Sequence, residues 1–449
     1  MGKKKIPEEG IYDARQLGAG RMFVLGFQHM FAMFGATVLV PILTGLDVST
    51  TLLFAGLGTL LFHLITGGIV PAFLGSSFAF LGGYATIAPM IDGQPNHEML
   101  PYACFGVACA GLVYVVLSAL FKAFGAKKVM RFFPPIVTGP IIIAIGLTLS
   151  SSAIDNCTGN WWIAIVAIAI IVAANIWGKG MIKIIPILLG VIGSYVIAVI
   201  ADPAVRDNLV QNVSEAEWFA LPIKMEQTVF GLFASGNVDA HKLLTAAITI
   251  VPLSLATMVE HIGDVSAISS TCDRNYIEDP GLHRTLMGDG LATTLAALFG
   301  APANTTYGEN TGVLALSRIY DPRVIRIAAI LAMCFSFSPK FAAIISSMPG
   351  GTIGGVSLVL YGMISAVGVR NVVENKVDFT NTRNVIIAAL ILVLAIGITY
   401  SGSIQIGVVS LSGLAVSSIV GILLNAILPG KDYTFEQDDQ GATSVDFKV

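Results

Sequence analysis

The sequence predicts an all-α, polytopic membrane protein of fourteen transmembrane spans, arranged as two inverted repeats of seven. Three observations carry that expectation. The composition is 55% hydrophobic and only 12% charged, with a mean hydropathy of +0.80, where soluble chains carry about 25% charged residues. Apolar runs close to the ~20 residues needed to cross a bilayer recur along the whole 449-residue chain. The basic residues between those runs fall almost entirely on alternate loops, the positive-inside pattern.

Span 1 is read over 22–43 and span 2 over 50–66. Span 3 covers 70–88 and is interrupted by Gly75-Ser-Ser-Phe78. Spans 4 to 7 cover 102–121, 136–152, 161–177 and 184–200, and a polar extracytoplasmic connection fills 201–242. Spans 8 to 10 cover 243–269, 285–299 and 304–319, and spans 11 to 14 cover 327–347, 353–369, 385–399 and 411–428. Residues 1–21 read as a retained cytoplasmic lead-in, because no small-residue cleavage site follows a short apolar region. The acidic tail, 429–449, reads as cytoplasmic and unstructured.

With the N-terminus inside, the inside loops collect Lys3, Lys4, Lys5, Arg15 and Arg21, then Lys122, Lys127, Lys128 and Arg131, and so on to Arg370, Lys376 and Arg383. Only Arg206, Lys224 and Lys242 fall outside, and Lys340 falls within a span. A missing or extra span would invert this pattern midway. Both termini are therefore expected on the cytoplasmic side of the cell membrane. Seven is odd, so two homologous halves must run in opposite directions. Traces of symmetry agree: both interrupted spans begin Pro-Ala, at Pro71 and Pro302, and Phe78 and Glu309 each stand seven residues beyond the proline. This is the plan of transporters whose broken helices meet at a midplane site.

The segment Pro302-Ala-Asn-Thr-Thr-Tyr-Gly-Glu-Asn-Thr-Gly312 is wrong for its apolar surroundings. Gly308 and Gly312 weaken a helix, and Thr305-Thr-Tyr307 favours extended backbone. Irregular backbone at membrane depth survives only where protein buries it or where it lines a watery cavity. In span 8, Glu260 and Asp264 are four apart and share one helix face, where two carboxylates would be costly against lipid. The alternatives are a structural polar network, or a span end at the cytoplasm, particularly for Asp264. A metal site of Glu260, His261 and Asp264 is disfavoured, because adjacent residues point to different helix faces. Phe78 by type is a packing aromatic; its position opposite Glu309 makes it a stacking platform for a flat ligand. His29 reads first as a packing residue, and Asp289, between Gly288 and Gly290, as a network member or an interfacial residue.

The five cysteines lack metal-ligand spacing and read as small buried hydrophobes. No nucleotide loop, zinc protease motif or Ser/His/Asp arrangement is present, so neither cofactor nor metal is expected and an intramembrane enzyme is disfavoured. The formal charge of −3 gives no sign of a nucleic-acid partner. A channel is disfavoured because the polar residues gather in one cluster rather than recurring in rings.

Gln28-His-Met-Phe-Ala-Met-Phe-Gly-Ala-Thr37, Pro71-Ala-Phe-Leu-Gly-Ser-Ser-Phe-Ala-Phe80, Glu260-His-Ile-Gly263, Asp279-Pro-Gly-Leu-His-Arg284 and the stretch from Pro302 to Arg318 resemble the nucleobase–ascorbate transporter family, over nearly the whole chain. The resemblance implies a core domain (22–121 and 243–347), a gate domain (134–200 and 349–428), and short antiparallel strands in spans 3 and 10. It implies substrate contacts from Phe78, Glu260 and Glu309, with backbone near Ala36, Tyr307 and Gly308, and secondary roles for Asn310 and Tyr361. Family members are similar in forming homodimers. The activity implied is import of uracil with protons, with a purine such as xanthine as the alternative substrate and sodium as the alternative cation. Uracil-type members carry Glu where Glu309 stands, whereas xanthine and urate members commonly carry Gln. An ionised carboxylate is acceptor-only and suits uracil's two ring N–H donors. Two departures matter. The family signature usually ends Thr-Arg or Thr-Lys, and here it ends Ser317-Arg318. Uracil-type members can carry a coupling His where Asp264 stands, which leaves the coupling role open between Asp264 and Glu260.

Overall fold

The computed structural model describes residues 10–91, 94–406 and 409–430. Lys3, Lys4, Lys5 and the acidic tail from 431 onward lie outside the described residues. The chain is helical almost throughout. Helix α1 (Ala19–Thr44) ends at Gly45, whose left-handed φ of 80° no L side chain adopts cheaply. Helix α2 (Val48–Ile65) starts at once, because Asp47 accepts the Thr50 N–H at 2.8 Å and caps it. Strand β1 (Leu74–Ser76), a 3-10 turn (Phe78–Phe80) and the short α3 (Leu81–Ile87) follow, then α4 (Leu100–Phe124). Next come α5 (Pro135–Thr148), α6 (Ser150–Thr158), α7 (Trp161–Trp177), α8 (Pro186–Ala201) and α9 (Pro203–Glu215). The second half runs through α10 (Ala240–Ile250), α11 (Ser254–Thr271), α12 (Leu282–Leu298), β2 (Asn304–Thr306) and α13 (Gly308–Ser317). It closes with α14 (Pro322–Ser336), α15 (Pro339–Ser346), α16 (Gly350–Glu374), α17 (Thr382–Ser401), a hairpin of β3 (Ile404–Ile406) and β4 (Val409–Leu411), and α18 (Gly413–Ile427).

Among the described residues, seven helical stretches are long and apolar enough to cross a bilayer, or nine if each of two bent pairs counts as one span. The bends are 108° between α8 and α9 and 89° between α14 and α15. Several of the fourteen apolar segments therefore do not appear as full-length helices. Spans 3 and 10 are part strand and part short helix, and α12 carries His283, Arg284 and Asp289 within its 17 residues. The connection at 201–242, read as merely polar, contains α9, which packs against α15. Lys340, read inside span 11, stands instead at a helix start. Ser338 caps α15 there, Pro339 follows, and the Lys340 ammonium donates to the Val213 carbonyl at 2.7 Å. The hairpin β3–β4 had no counterpart in the sequence reading.

Two helix groups emerge from the packing. In one, α4 and α2 lie against α12, α14 lies against α1 and α2, and α10 lies against α4. In the other, α16 packs on α5, α6 and α7, α8 on α7, and α17 on α5 and α18. The groups meet where α1 touches α8 and where α11 touches α5 and α18. Glycines permit the closest crossings. A Cβ at Gly111 of α4 would stand 2.7 Å from the Gly290 carbonyl of α12, and one at Gly368 of α16 2.7 Å from the Gly139 carbonyl of α5.

Strands β1 and β2 pair antiparallel, Leu74 with Thr306, Gly75 with Thr305 and Ser76 with Asn304. The register is symmetric about the two prolines: Gly75, four beyond Pro71, faces Thr305, three beyond Pro302, and Leu74 with Thr306 reverses those offsets. Ser77 N–H to the Ala303 carbonyl (2.8 Å) and Tyr307 N–H to the Phe73 carbonyl (3.0 Å) extend the pairing by one step at each end. Three residues of sheet leave outer edges to satisfy, and neighbouring helices do it. Thr59 of α2 accepts the Leu74 N–H at 2.9 Å, Thr293 of α12 donates to the Asn304 carbonyl at 2.5 Å, and Asn304 Nδ2 donates to the Phe54 carbonyl at 2.8 Å.

Candidate functional site

The strand pair delivers the chain into two helix starts, the turn at Phe78 and helix α13 at Gly308. No side chain caps α13, so its first backbone N–H groups have no partner within their own helix. Gly308 is exposed although Tyr307 before it and Asn310 after it are buried. Helix α11 runs alongside α13 and brings Glu260 and Asp264, both half-buried, to the same region. Asp264 Oδ2 accepts from Thr306 Oγ1 at 2.9 Å, and its Oδ1 stands 3.6 Å from where a Cβ on Gly308 would be. The carboxylate thus points at β2 and the start of α13. That is not the solvated helix end that the sequence left open for it.

Phe78 is buried, and its ring meets that of Tyr361 on α16 edge to face, with centroids 5.7 Å apart. This contact crosses between the two helix groups. Ala36 is buried on α1, next to Thr37. The Tyr307 hydroxyl donates to the Ser76 carbonyl at 2.9 Å and accepts from Thr37 Oγ1 at 3.3 Å, so its side chain fastens β2 to β1 and α1. Asn310 Nδ2 donates to the His29 carbonyl at 3.1 Å and lies 3.3 Å from His29 Nδ1, tying α13 to α1. The His29 ring is buried against this amide, consistent with a packing role. Glu309 is the second residue of α13, and its side chain lies outside the described residues.

Behind the strands lies a polar cluster that the sequence indicated only in part. His261 and Asp289 are fully buried, with Nδ1 and Oδ2 3.3 Å apart. Thr305 Oγ1 donates to Asp289 Oδ2 at 3.5 Å, and Thr306 Oγ1 is 3.4 Å from His261 Nδ1. Asp289 is therefore a network member in the interior, not an interfacial residue. His261 and Asp264, three apart on one face of α11, both reach Thr306, and no metal-holding cluster forms among the described residues. Thr306 was missed as a contributor. Its only sequence signal was a hydroxyl on an extended segment beside two titratable helices, and nothing in the spacing says which helix it will face.

Residues 20–404 match the Permease family. The chain is 41% identical to the uracil permease of Bacillus caldolyticus over 429 residues, covering 93% of this chain and 94% of that one. It is 39% identical to the uracil permease of Bacillus subtilis strain 168 over 444 residues, covering 96% and 97%. Among solved structures, the transmembrane domain of a cyanobacterium bicarbonate transporter, BicA, superposes with a TM-score of 0.57 at 16% identity, covering 93% of this chain and 99% of that chain. At that identity the likeness concerns the fold alone.

Proposed function

The chain belongs to the nucleobase–ascorbate transporter family, a family of membrane transport proteins rather than enzymes, and from that membership we propose a secondary-active symporter that imports uracil with protons. The observation that carries the reading is the Asp264 carboxylate turned to the uncapped start of α13, with Glu260 one turn before it on α11. Uracil presents two ring N–H donors and two carbonyl acceptors on a flat ring. Glu260 and Glu309 accept the N–H groups, and the backbone N–H groups at Gly308 and its neighbours donate to a carbonyl oxygen. Phe78 stacks against the ring, and Ala36 closes the other side. Tyr361 and Asn310 hold Phe78 and α13 in place.

In this reading the fourteen segments are fourteen spans in two inverted repeats, with both termini in the cytoplasm. The group built on α1, α2, α4, α12 and α14 is the core, and the group built on α5, α7, α16 and α17 is the gate. Core rocks against gate to expose the site alternately, and Asp264 with Glu260 holds the coupling proton. Two copies associate through the gate. The names of the relatives and the carboxylate at 309 support uracil over a purine.

The experiment is uptake of radiolabelled uracil into proteoliposomes under an imposed proton gradient, a sodium gradient, or neither. Saturable accumulation driven by the proton gradient alone is expected. Accumulation driven by sodium alone would replace the cation, and competition by xanthine stronger than by unlabelled uracil would replace the substrate.

A further inference from the structure

Residues 10–17, ahead of α1, lie across the ends of α11 and α13 that point away from the proposed substrate site, and three attachments hold them there. Ile11 bridges to Ile319 in parallel, its N–H donating to the Arg318 carbonyl and its carbonyl accepting from Tyr320 N–H, both at 2.8 Å. At the start of α14, Ala14 N–H donates to Asp321 Oδ2 at 2.7 Å, and Arg323 Nη1 donates to Asp13 Oδ1 at 3.0 Å. The Tyr12 hydroxyl donates to the Cys272 carbonyl at 2.6 Å, just past the end of α11. We propose that this segment clamps together the two helices that carry the site, and that Tyr12 is a positioning residue for substrate binding, acting through the spacing of Asp264 and the start of α13.

The local sequence is built for this docking. Gly10 has a left-handed φ of 82°, and a Cβ there would run into the Tyr320 ring. Ile11 and Ala14 are buried with Ile319 and Val324 in a small apolar cluster of their own. The Arg274 guanidinium lies 4.1 Å from the centroid of the Tyr12 ring, and the Tyr320 ring lies 5.3 Å from it. The attachments to Ile319 and to the start of α14 would suffice to anchor the segment. Tyr12 adds a second helix, 260 residues away in the chain.

The mechanics follow from helix length. Helix α13 has ten residues and is about 15 Å long. Asp264 stands just over two turns before Cys272, about 12 Å along α11. A hydrogen-bonded helix of two or three turns moves as a rod, so a tilt at one end is delivered to the other. At its start α13 is held by β2 and by Asn310 on the His29 carbonyl, and at its far end by Ile11 on Arg318 and Tyr320. A rod fixed at one end pivots, and a rod fixed at both does not. Tyr12 ties that second support to α11, and so fixes the interval between Asp264 and Gly308 from the far side. A ligand that needs both helices binds only the fraction of molecules in which they are correctly spaced, and its apparent dissociation constant rises as that fraction falls. Loosening the clamp therefore lowers affinity, while saturating substrate restores the spacing and with it the maximal rate.

The affinity arm of the test rests on the uracil-transport reading, and a second arm is independent of substrate. Full-length wild type and Tyr12→Phe, which removes the hydroxyl and keeps the ring on Arg274, are purified. Amide hydrogen exchange, melting temperature, uracil affinity by titration calorimetry and uptake kinetics in proteoliposomes are measured on both. Loss of one hydrogen bond is expected to raise exchange across 264–272 and 308–319 by about 2- to 10-fold without uracil. The uracil dissociation constant and the uptake KM rise by the same factor, the maximal rate holds, and saturating uracil returns exchange to the wild-type level. Should Tyr12→Phe not assemble, Arg274→Gln, which unloads the ring and leaves the hydroxyl, is expected to shift the same quantities in the same direction. Exchange altered only within 10–20, or a lower melting temperature with unchanged affinity and KM, overturns the proposal and leaves the segment a local anchor. Failure of wild type to bind uracil sinks the substrate reading instead, and the exchange across 264–272 and 308–319 still decides the clamp.

Discussion

At the scale of single residues, the proposed site joins a flat apolar surface to charged acceptors, and the two halves of that chemistry are separable. Phe78 is buried against Tyr361 and is the aromatic face proposed for the ligand. Stacking is worth about 1–3 kcal/mol per base, so Phe78→Ala is expected to weaken uracil binding by that much, and Phe78→Trp to retain most of it. Titration calorimetry on the purified variants reads this directly, and an unaltered affinity in Phe78→Ala would reduce the ring to packing. Glu309 tests the polar half. Loss of a charged hydrogen bond costs about 1.5–3 kcal/mol, and Glu309→Gln should impose that loss on uracil more than on xanthine. Equal losses for the two bases in a competition assay would remove Glu309 from the discrimination.

At the scale of elements, the strand pair depends closely on its neighbours. Its three-residue strands have few hydrogen bonds of their own; Thr59 and Thr293 on neighbouring helices add to them, and the Asn304 side chain ties β2 to the Phe54 carbonyl. Gly75 is required by a close approach: a Cβ there would lie 2.5 Å from the Tyr307 ring and 2.7 Å from Thr37 Oγ1. Gly75→Ala must displace the tyrosine that fastens the two strands. The expected cost is about 1–3 kcal/mol of stability, read as a lower melting temperature together with weaker uracil binding. A variant that melts and binds as wild type would show that Tyr307 moves aside freely.

At the scale of the whole molecule, the proposed symport requires a proton on one group to bias the movement of two helix groups. Asp264 sits on α11, which also touches α5 and α18 of the other group. Asp264→Asn is expected to leave uracil binding and exchange largely intact while abolishing accumulation driven by a pH gradient, because rocking continues without a proton to couple it. Counterflow and gradient-driven uptake measured on the same proteoliposomes separate these. Proton-driven accumulation at the wild-type level would move the coupling role to Glu260 alone.

The sequence by itself determined the membrane class, the family and the two anomalous segments, because each is local. Hydropathy, charge asymmetry and a polar run between apolar ones are properties of short windows that no partner can alter. Reading Glu260 and Asp264 onto one face needed only the helical period. Helix lengths were less legible, since hydropathy does not register where Ser338 and Pro339 break an apolar run. What only the tertiary structure decided is which distant groups meet. Asp264 faces Thr306 rather than a solvated helix end, Asp289 finds His261 inside the bundle, and Lys340 leaves its apolar segment for the Val213 carbonyl. The physical reason is common to all three. A polar side chain inside such a protein takes whichever partner satisfies it, and that partner is supplied by a different helix, at a depth and rotation that no local pattern encodes.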